Sequence, residues 1–328
     1  MSLGTAPRVG PSPLVTTGRR RRLIAGDALF RGLAVGAAGF IVLIALIFMI
    51  TLFVPALPSI RAFGLGFFGS SRWNPVTGQF GALPFIFGTL VTSAIGLAIA
   101  FPIGIGAALF LAEEARLSLI RVPLSFAVEL LAGIPSVVIG LWALFILTPI
   151  MRDNVEPFLN HSLGFLPLFQ GGYSGASFLT AGVVLAIMVL PILIALSRDV
   201  IHAVPRALLE ASLALGATSA ETIWSVVLPY ARVGITGAVL LALGRALGET
   251  IAVTMVIGNS LQPLHLSLFA TGNTLASQLA GSYQSAPTNI ELQSLVYLGL
   301  ILLVITFIVN VAAQRIVHRF EFQLSGGK

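Results

Sequence analysis

Six runs of mostly apolar residues, each long enough to cross a membrane as a helix, constrain this sequence more than any other feature. A hydrocarbon core about 30 Å thick needs about 20 such residues, because the bilayer offers no water to pair with backbone polar groups. Only 9% of the residues are charged, against about a quarter in soluble domains. We therefore predict an all-α membrane protein with six transmembrane helices near residues 33–54, 84–111, 124–150, 177–196, 233–257 and 295–311.

The distribution of basic residues predicts the orientation of these spans. Arginine and lysine are retained on the cytoplasmic side of a membrane. With a cytoplasmic N-terminus, the outer loops hold only Arg61, Arg72 and Arg152 of the basic residues. We expect a multi-pass protein of the plasma or inner membrane with both termini cytoplasmic, as tails at 1–30 and 321–328 around a membrane domain at 31–320.

The N-terminal tail carries the run from Arg19 to Arg22 directly before the first span. This position favours an anchor on anionic lipid over a nucleic-acid site. Residues 1–26 contain three prolines and scattered glycine and serine, and we expect them to be disordered because they cannot bury a core. The apolar stretch that follows is too long for a cleaved signal sequence.

Several kinds of chemistry are excluded by the residues that are missing. The chain has no cysteine, and its four histidines are too scattered for a zinc-binding helix. The only lysine is the last residue, Lys328, so the chain has no phosphate-binding loop with an internal lysine. We therefore predict no catalytic residues, no metal site and no cofactor in this chain, and we assign any ATP hydrolysis to a different polypeptide.

One enzymatic alternative rests on the sequence Gly172-Tyr173-Ser174-Gly175 before the fourth span. A G-x-S-G sequence there resembles the nucleophile motif of rhomboid-type intramembrane proteases. That reaction needs a histidine base within hydrogen-bond reach of the serine, and the sixth span contains none, while His265 lies in an outer loop. A glycine- and serine-rich turn that opens a helix explains the motif more simply.

The inner loop at 197–232 has signals for two short helices. Pro205 suits the first turn of a helix, and Gly216 can adopt the left-handed conformation that ends it. Thr218 lies three residues before Glu221, which is the spacing of a capping box, and the second helix should end before Pro229. A passive connector and a DNA-binding helix-turn-helix are the alternatives, although a position between two spans argues against DNA.

The same loop carries a family motif. It reads E-A-S at 210–212, then three residues, Gly216, nine residues, and V-V-L-P at 226–229. This pattern resembles the EAA loop of ABC importer membrane subunits, E-A-A-x3-G-x9-I-x-L-P. The resemblance implies a type I ABC importer permease fold, in which this loop is a coupling helix seated on a separate ATPase. It implies ATPase contacts at Glu210, Ala211, Ser212 and Gly216, where Ser212 replaces the second alanine.

A second signal is the pair Arg245 and Glu249 inside the fifth apolar run. A charge at mid-bilayer costs about 2.5 to 3.5 kcal/mol even on the insertion scale, so such residues face a bundle interior or an aqueous path. If the helix is continuous, the two lie on one face and form a structural ion pair. Alternatively, the arginine fork binds a tetrahedral oxyanion, and the carboxylate accepts a hydrogen bond from protonated phosphate and weakens retention.

The segment R-A-L-G-E-T-I-A-V-T-M-V-I-G-N from Arg245 is similar to the PstC-type permease subunits of phosphate ABC importers, and the sequences at 27–30, 73–75, 80–84 and 129–136 agree. The resemblance implies a substrate pathway at Arg245, Glu249 and Thr250, with Glu129 as a weaker candidate. The implied partners are a PstA-like permease subunit in a heterodimer, a PstB-like ATPase dimer that holds ATP and Mg²⁺, a PstS-like phosphate-binding protein, inorganic phosphate and membrane lipid, without nucleic acid.

Two other functions remain open from the sequence. The first is a permease for another oxyanion, molybdate or sulfate, although those permeases tend to have an L-G-E-F-G form. The second is an ion-coupled secondary transporter or channel. The outer segment at 259–292 is rich in polar residues, including Asn273, Thr274, Ser277 and Gln278. This composition suggests a surface that docks a binding protein or eases anion entry, or else a solvated re-entrant connector.

Overall fold

The computed structural model describes residues 17–112, 118–261 and 265–324. Residues 17–26 belong to the first helix, so the expectation of disorder over 1–26 is wrong for that part, and residues 1–16 lie outside the described residues. The helix at the C-terminus ends at Leu324, inside the predicted tail at 321–328. By internal contacts the chain divides into two units at Val54 and Pro55.

Helices follow one another along the described chain with short connections. The helix Ser136–Leu163 contains π-helical turns at Ala143–Leu147 and Met151–Val155, and the helix Ser219–Gly248 contains one at Ile223–Val227. In chain order the helices are α1 (Thr17–Phe63), α2 (Gly66–Gly69), α3 (Leu83–Ala112), α4 (Ser118–Ala132), α5 (Ser136–Leu163), α6 (Phe178–His202), α7 (Arg206–Ala214), α8 (Ser219–Gly248), α9 (Ile251–Val256), α10 (Leu275–Ser282) and α11 (Asn289–Leu324).

Six of the described helices are long and apolar enough to cross a membrane, which confirms the predicted all-α membrane fold. They are Phe30–Phe63, Leu83–Ala112, Ser136–Leu163, Phe178–His202, Ser219–Gly248 and Asn289–Arg315. The predicted spans at 33–54, 84–111 and 295–311 lie inside their helices. The fourth span begins at Ser177, which caps α6 by accepting from the backbone N–H of Thr180.

The third predicted span, at 124–150, is not one helix. The helix is interrupted at Gly133, Ile134 and Pro135, between α4 and α5. The N–H groups of Gly133 and Ile134 donate to carbonyls three residues back, in a tightened last turn. Pro135 then has extended backbone angles, φ −57° and ψ 139°, because its ring disfavours helix continuation. The membrane-length helix is therefore Ser136–Leu163, and α4 is a separate short helix.

The core of the second unit forms around α6, which packs chiefly against α3 and also against α8. Close approach depends on glycine: a Cβ on Gly182 would lie 2.5 Å from Ile95 Cγ2, and one on Gly96 would lie 2.9 Å from Leu185 Cβ. Small residues at such positions let membrane helices meet backbone to backbone. One buried cluster joins the three helices through Ala100, Ala186, Val189, Leu193, Ala238, Ala242 and Ala246.

Candidate functional site

The inner loop folds as two helices that meet at a corner, as predicted. Pro205 precedes α7, and Gly216 after it has φ +89°, in the left-handed region. Thr218 and Glu221 form the predicted capping box: the Glu221 N–H donates to the threonine hydroxyl, and the Thr218 N–H donates to the glutamate at 2.8 Å. The Ser212 and Thr222 hydroxyls are 2.9 Å apart, which joins the two helices.

Three of the four predicted ATPase-contact residues are exposed on this corner: Glu210, Ala211 and Gly216. Ser212 is half-buried because its hydroxyl faces Thr222. Beneath the corner, Ile201 and Val204 join a buried cluster with Ala108, Val227, Ala231 and Ile235. The loop is therefore fixed to α3, α6 and α8, and a displacement of the corner would carry these helices with it.

The second helix of the loop does not end before Pro229, in contrast to the prediction. Instead, α8 runs from Ser219 to Gly248 through a π-helical turn at Ile223–Val227. The N–H of Leu228 donates to the carbonyl of Ile223, five residues back. A π turn changes the register of the hydrogen bonds, so the chain accommodates a residue without an N–H group and remains helical. We call this corner, residues 206–222, the coupling corner, after the prediction made for the loop. Its second half continues as α8 to Gly248, within the predicted fifth span at 233–257.

Arg245 and Glu249 lie at a break between two helices rather than on one helical face. Helix α8 ends at Gly248, and Glu249 has extended backbone angles, φ −68° and ψ 127°. The carboxylate Oε1 of Glu249 accepts from the backbone N–H of Ala252 at 3.4 Å, in the first turn of α9. The ion pairs among the described residues join Arg152 to Asp153 and Arg198 to Glu129 and Asp199. The premise of a structural Arg245–Glu249 pair is therefore wrong.

The break places each charge where the neighbouring helix end favours it. Arg245 is in the last turn of α8, whose free carbonyls carry partial negative charge, and Glu249 precedes the first N–H groups of α9. Arg245 is exposed, while Glu249 and Thr250 are half-buried. The Thr250 hydroxyl donates to the Gly248 carbonyl at 3.2 Å. Interrupted helices with exposed termini are typical of ion- and anion-binding regions in transporters.

Glu129, the weaker pathway candidate, lies on α4. Its side chain is 61% exposed, and its Oε1 is 3.7 Å from the Nη1 of Arg198 on α6. The structure thus connects this carboxylate to the helix that precedes the coupling corner. Arg198 was not among the predicted site residues. Its signal in the sequence was an arginine near the end of an otherwise apolar span.

The Gly172–Gly175 turn is explained by a buried carboxylate. Glu156 of α5 is fully buried, and it accepts from the Gly175 N–H at 3.1 Å and from the Ser177 hydroxyl at 2.9 Å. Although Ser174 and His265 line one outer depression, the Ser174 hydroxyl donates to the Ala176 carbonyl at 2.7 Å. These contacts give the motif a structural role, as the turn interpretation predicted.

The polar residues of the outer segment face inward. Asn273, Thr274, Ser277 and Gln278 are each at most 4% exposed. Thr274 and Ser277 cap α10, and the Asn273 amide donates to Gln278 at 2.9 Å. The Leu275 N–H donates to the Thr89 hydroxyl of α3 at 2.9 Å. These four side chains hold α10 in place, so the suggestions that they form a docking surface or belong to a solvated connector are wrong for these residues. Docking of a binding protein by other residues of the outer segment stays a prediction.

Comparison with known proteins shows the family of the chain. The family described as "Binding-protein-dependent transport system inner membrane component" matches residues 100–322. A phosphate transport system permease protein PstC of Mesorhizobium japonicum is 43% identical over 92% of this chain and 93% of its own length. The PstC of Xylella fastidiosa strain Temecula1 is 42% identical over 93% and 94%.

A solved structure supports the fold. The inward-facing MetNI methionine ABC transporter matches with a TM-score of 0.52 and 20% identity, over 72% of this chain and 94% of that chain. At this identity the likeness shows the fold alone.

Proposed function

Because this chain belongs to the family of binding-protein-dependent transport system inner membrane components, we propose that it is the permease subunit of an ATP-driven phosphate importer. The observation that carries the proposal is the agreement over nearly the whole chain with PstC phosphate permeases. The exposed coupling corner supports the same function. The chain acts as a membrane transport subunit rather than an enzyme.

The finer assembly follows from this proposal. The chain pairs with a PstA-like permease subunit, a PstB-like ATPase dimer binds ATP and Mg²⁺, and a PstS-like protein delivers phosphate. Both termini and the corner lie in the cytoplasm. Closure of the ATPase moves the corner, and because α8 is continuous from Ser219 to Gly248, the displacement reaches Arg245 as a rigid-body motion.

Arg245 contributes a temporary binding point for the anion. A guanidinium offers two parallel N–H donors that match a tetrahedral oxyanion. Glu249 and Thr250 lie beside it at the helix break. A carboxylate near the arginine favours a protonated phosphate and prevents tight retention, which a transport pathway requires.

Uptake of labelled phosphate tests the proposal in a strain that lacks its own high-affinity phosphate permease. We expect uptake only when the chain is produced with the PstA-like and PstB-like subunits and the PstS-like binding protein, and loss of uptake when the ATPase is inactive. Excess sulfate or molybdate should not compete. Uptake by the chain alone in liposomes under an ion gradient would instead indicate a secondary transporter, and competition by sulfate or molybdate would indicate another oxyanion permease.

A further inference from the structure

Most described side chains of helix α4 are exposed, and the helix rests on α6 by one face. Among its side chains at 122–132, only Val128 is buried. Val128 packs with Leu111 of α3 and Ile194 of α6. Its neighbour Glu129 reaches Arg198, one helical turn beyond Ile194 on α6. Among the described side chains, α4 is held against α3 and α6 by the Val128 cluster and by this charge contact, and it is separated from α5 by the break at 133–135.

The charge contact is shared between two carboxylates. Arg198 lies 3.7 Å from the Oε1 of Glu129 on the other helix, beyond hydrogen-bond distance. The Nε and Nη2 of the same guanidinium donate to the Oδ1 of its chain neighbour Asp199, at 3.2 and 3.1 Å. The arginine side chain is 22% exposed, whereas both carboxylates are more than half exposed. Release of Glu129 would leave Arg198 with a charged partner, so the cost of separation is small.

The position of Arg198 connects this contact to the coupling corner. Arg198 is in the last two turns of α6, and the three residues Ala203, Val204 and Pro205 join α6 to α7. Val204 is buried in the cluster beneath the corner. A motion of the corner therefore moves the guanidinium directly, with no flexible linker between them.

We propose that Arg198 and Glu129 are positioning residues for transport: when the corner moves, the guanidinium keeps its hydrogen bonds to Asp199 and gains or loses its contact with Glu129, and α4 thereby docks on α6 or separates from it. Glu129 then acts by holding α4 and not by lining the phosphate pathway. This inference rests on the proposed function, because the motion is driven by the partner ATPase. The proposal assigns opposite effects on the docking of α4 to Glu129, which attracts α4 to Arg198, and to Asp199, which competes for the same guanidinium. A purely structural role would not predict opposite effects.

Spin-label distances test the docking of α4 on α6 directly. The chain contains no cysteine, so labels attach only to the cysteines that are introduced. Labels at Phe126→Cys on α4 and Ala203→Cys at the end of α6 report docking, because both positions are exposed. A control pair, Phe101→Cys and Ala203→Cys, spans the extensive α3–α6 interface. In the assembled complex with ATPase and phosphate-binding protein, we expect nucleotide trapping to shift the first distance distribution and not the second.

The two carboxylate variants separate the proposal from simpler roles. Glu129→Gln should move the untrapped distribution towards the separated position, and Asp199→Asn should move it towards the docked position. Shifts of equal sign, or no shift in either variant, would overturn the proposal. If the unlabelled wild-type complex takes up no phosphate, the proposed function fails instead, so the two failures are distinguishable.

Uptake rates give a second measurement. Glu129→Gln and Arg198→Gln should each lower the initial rate about fivefold, as expected for the loss of about 1 kcal/mol. The double variant should be no slower than either single variant, because both remove the same contact. A double variant whose rate falls by the product of the two single losses would contradict a shared contact. Altered competition by arsenate in Glu129→Gln would place Glu129 in the pathway, and either result would contradict a positioning role.

Discussion

Arg245 lies in the last turn of α8, beside the helix break at 249–250. We expect Arg245→Ala to lower phosphate uptake more than about tenfold, because loss of a charged hydrogen-bond partner costs about 2 kcal/mol or more. Arg245→Lys should be intermediate, since lysine keeps the charge but loses the planar fork. Uptake of labelled phosphate measures the effect, and copurification of the partner subunits shows that assembly is unchanged. Normal uptake by the alanine variant would leave Arg245 without a transport role.

Glu156 is the residue whose removal should most affect stability at the outer end of α5. Glu156→Ala leaves the Gly175 N–H and the Ser177 hydroxyl without their acceptor in a buried site, which costs about 1 to 3 kcal/mol. We expect a lower thermal midpoint of the detergent-purified complex by fluorescence. The control is Asp153→Ala, which removes an exposed ion pair with Arg152 and should change the midpoint little. Equal midpoints for the two variants would contradict the role assigned to Glu156.

Residues that act over short sequence separations were predictable, and those that act across the fold were not. The Thr218–Glu221 capping box and the left-handed Gly216 follow from local chemistry, and both are present. The contact of Glu129 with Arg198 and that of Glu156 with Ser177 depend on how the helices pack. The sequence indicated Glu129 as a weaker candidate within an apolar span, but it did not single out Glu156 or Arg198, and it contained nothing that identified the partners of these residues.

A change at the coupling corner should impair assembly with the ATPase and leave the folding of the permease intact. Glu210→Arg reverses an exposed charge at this corner. We expect it to reduce copurification of the ATPase and phosphate uptake together, while the permease remains in the membrane. Val76→Arg introduces a positive charge at a position that is 94% exposed on a predicted outer loop, and it serves as the control with unchanged copurification. Retained ATPase binding and uptake in Glu210→Arg would refute the docking role.

Hydropathy located the elements but not their interruptions. The runs at 124–150 and 233–257 are apolar apart from a few residues such as Glu129, Arg245 and Glu249, yet the helix is interrupted at 133–135 and at 249–250. Mean hydropathy over a window of residues measures apolar content, and it does not detect a single residue that changes the direction of the backbone. The opposite error occurred at Pro229, where a π-helical turn preserves a helix that a proline signal appeared to end. The interruptions reflect local backbone geometry that hydropathy does not measure. At Pro229 the shifted hydrogen-bond register of the π-helical turn compensates for the missing N–H group.

At the scale of the whole molecule, the second unit combines a tightly packed centre with a loosely held element. Helices α3, α6 and α8 share a small-residue core and carry the coupling corner. Helix α4 rests on α3 and α6 through the Val128 cluster and the Arg198 contact, and its other described side chains are mostly exposed. Such a division is what an externally driven transporter needs, because a rigid part transmits displacement and a weakly attached part responds to it.

The orientation of the whole chain is a prediction that the absence of cysteine makes simple to test. Val76 in the first predicted outer loop is 94% exposed, and Leu215 at the coupling corner is 90% exposed. In intact cells, a membrane-impermeant maleimide should label Val76→Cys and not Leu215→Cys, because basic residues retain the corner in the cytoplasm. Permeabilisation should make both variants react, which controls for accessibility. Labelling of Leu215→Cys in intact cells would reverse the topology and place the corner out of reach of a cytoplasmic ATPase.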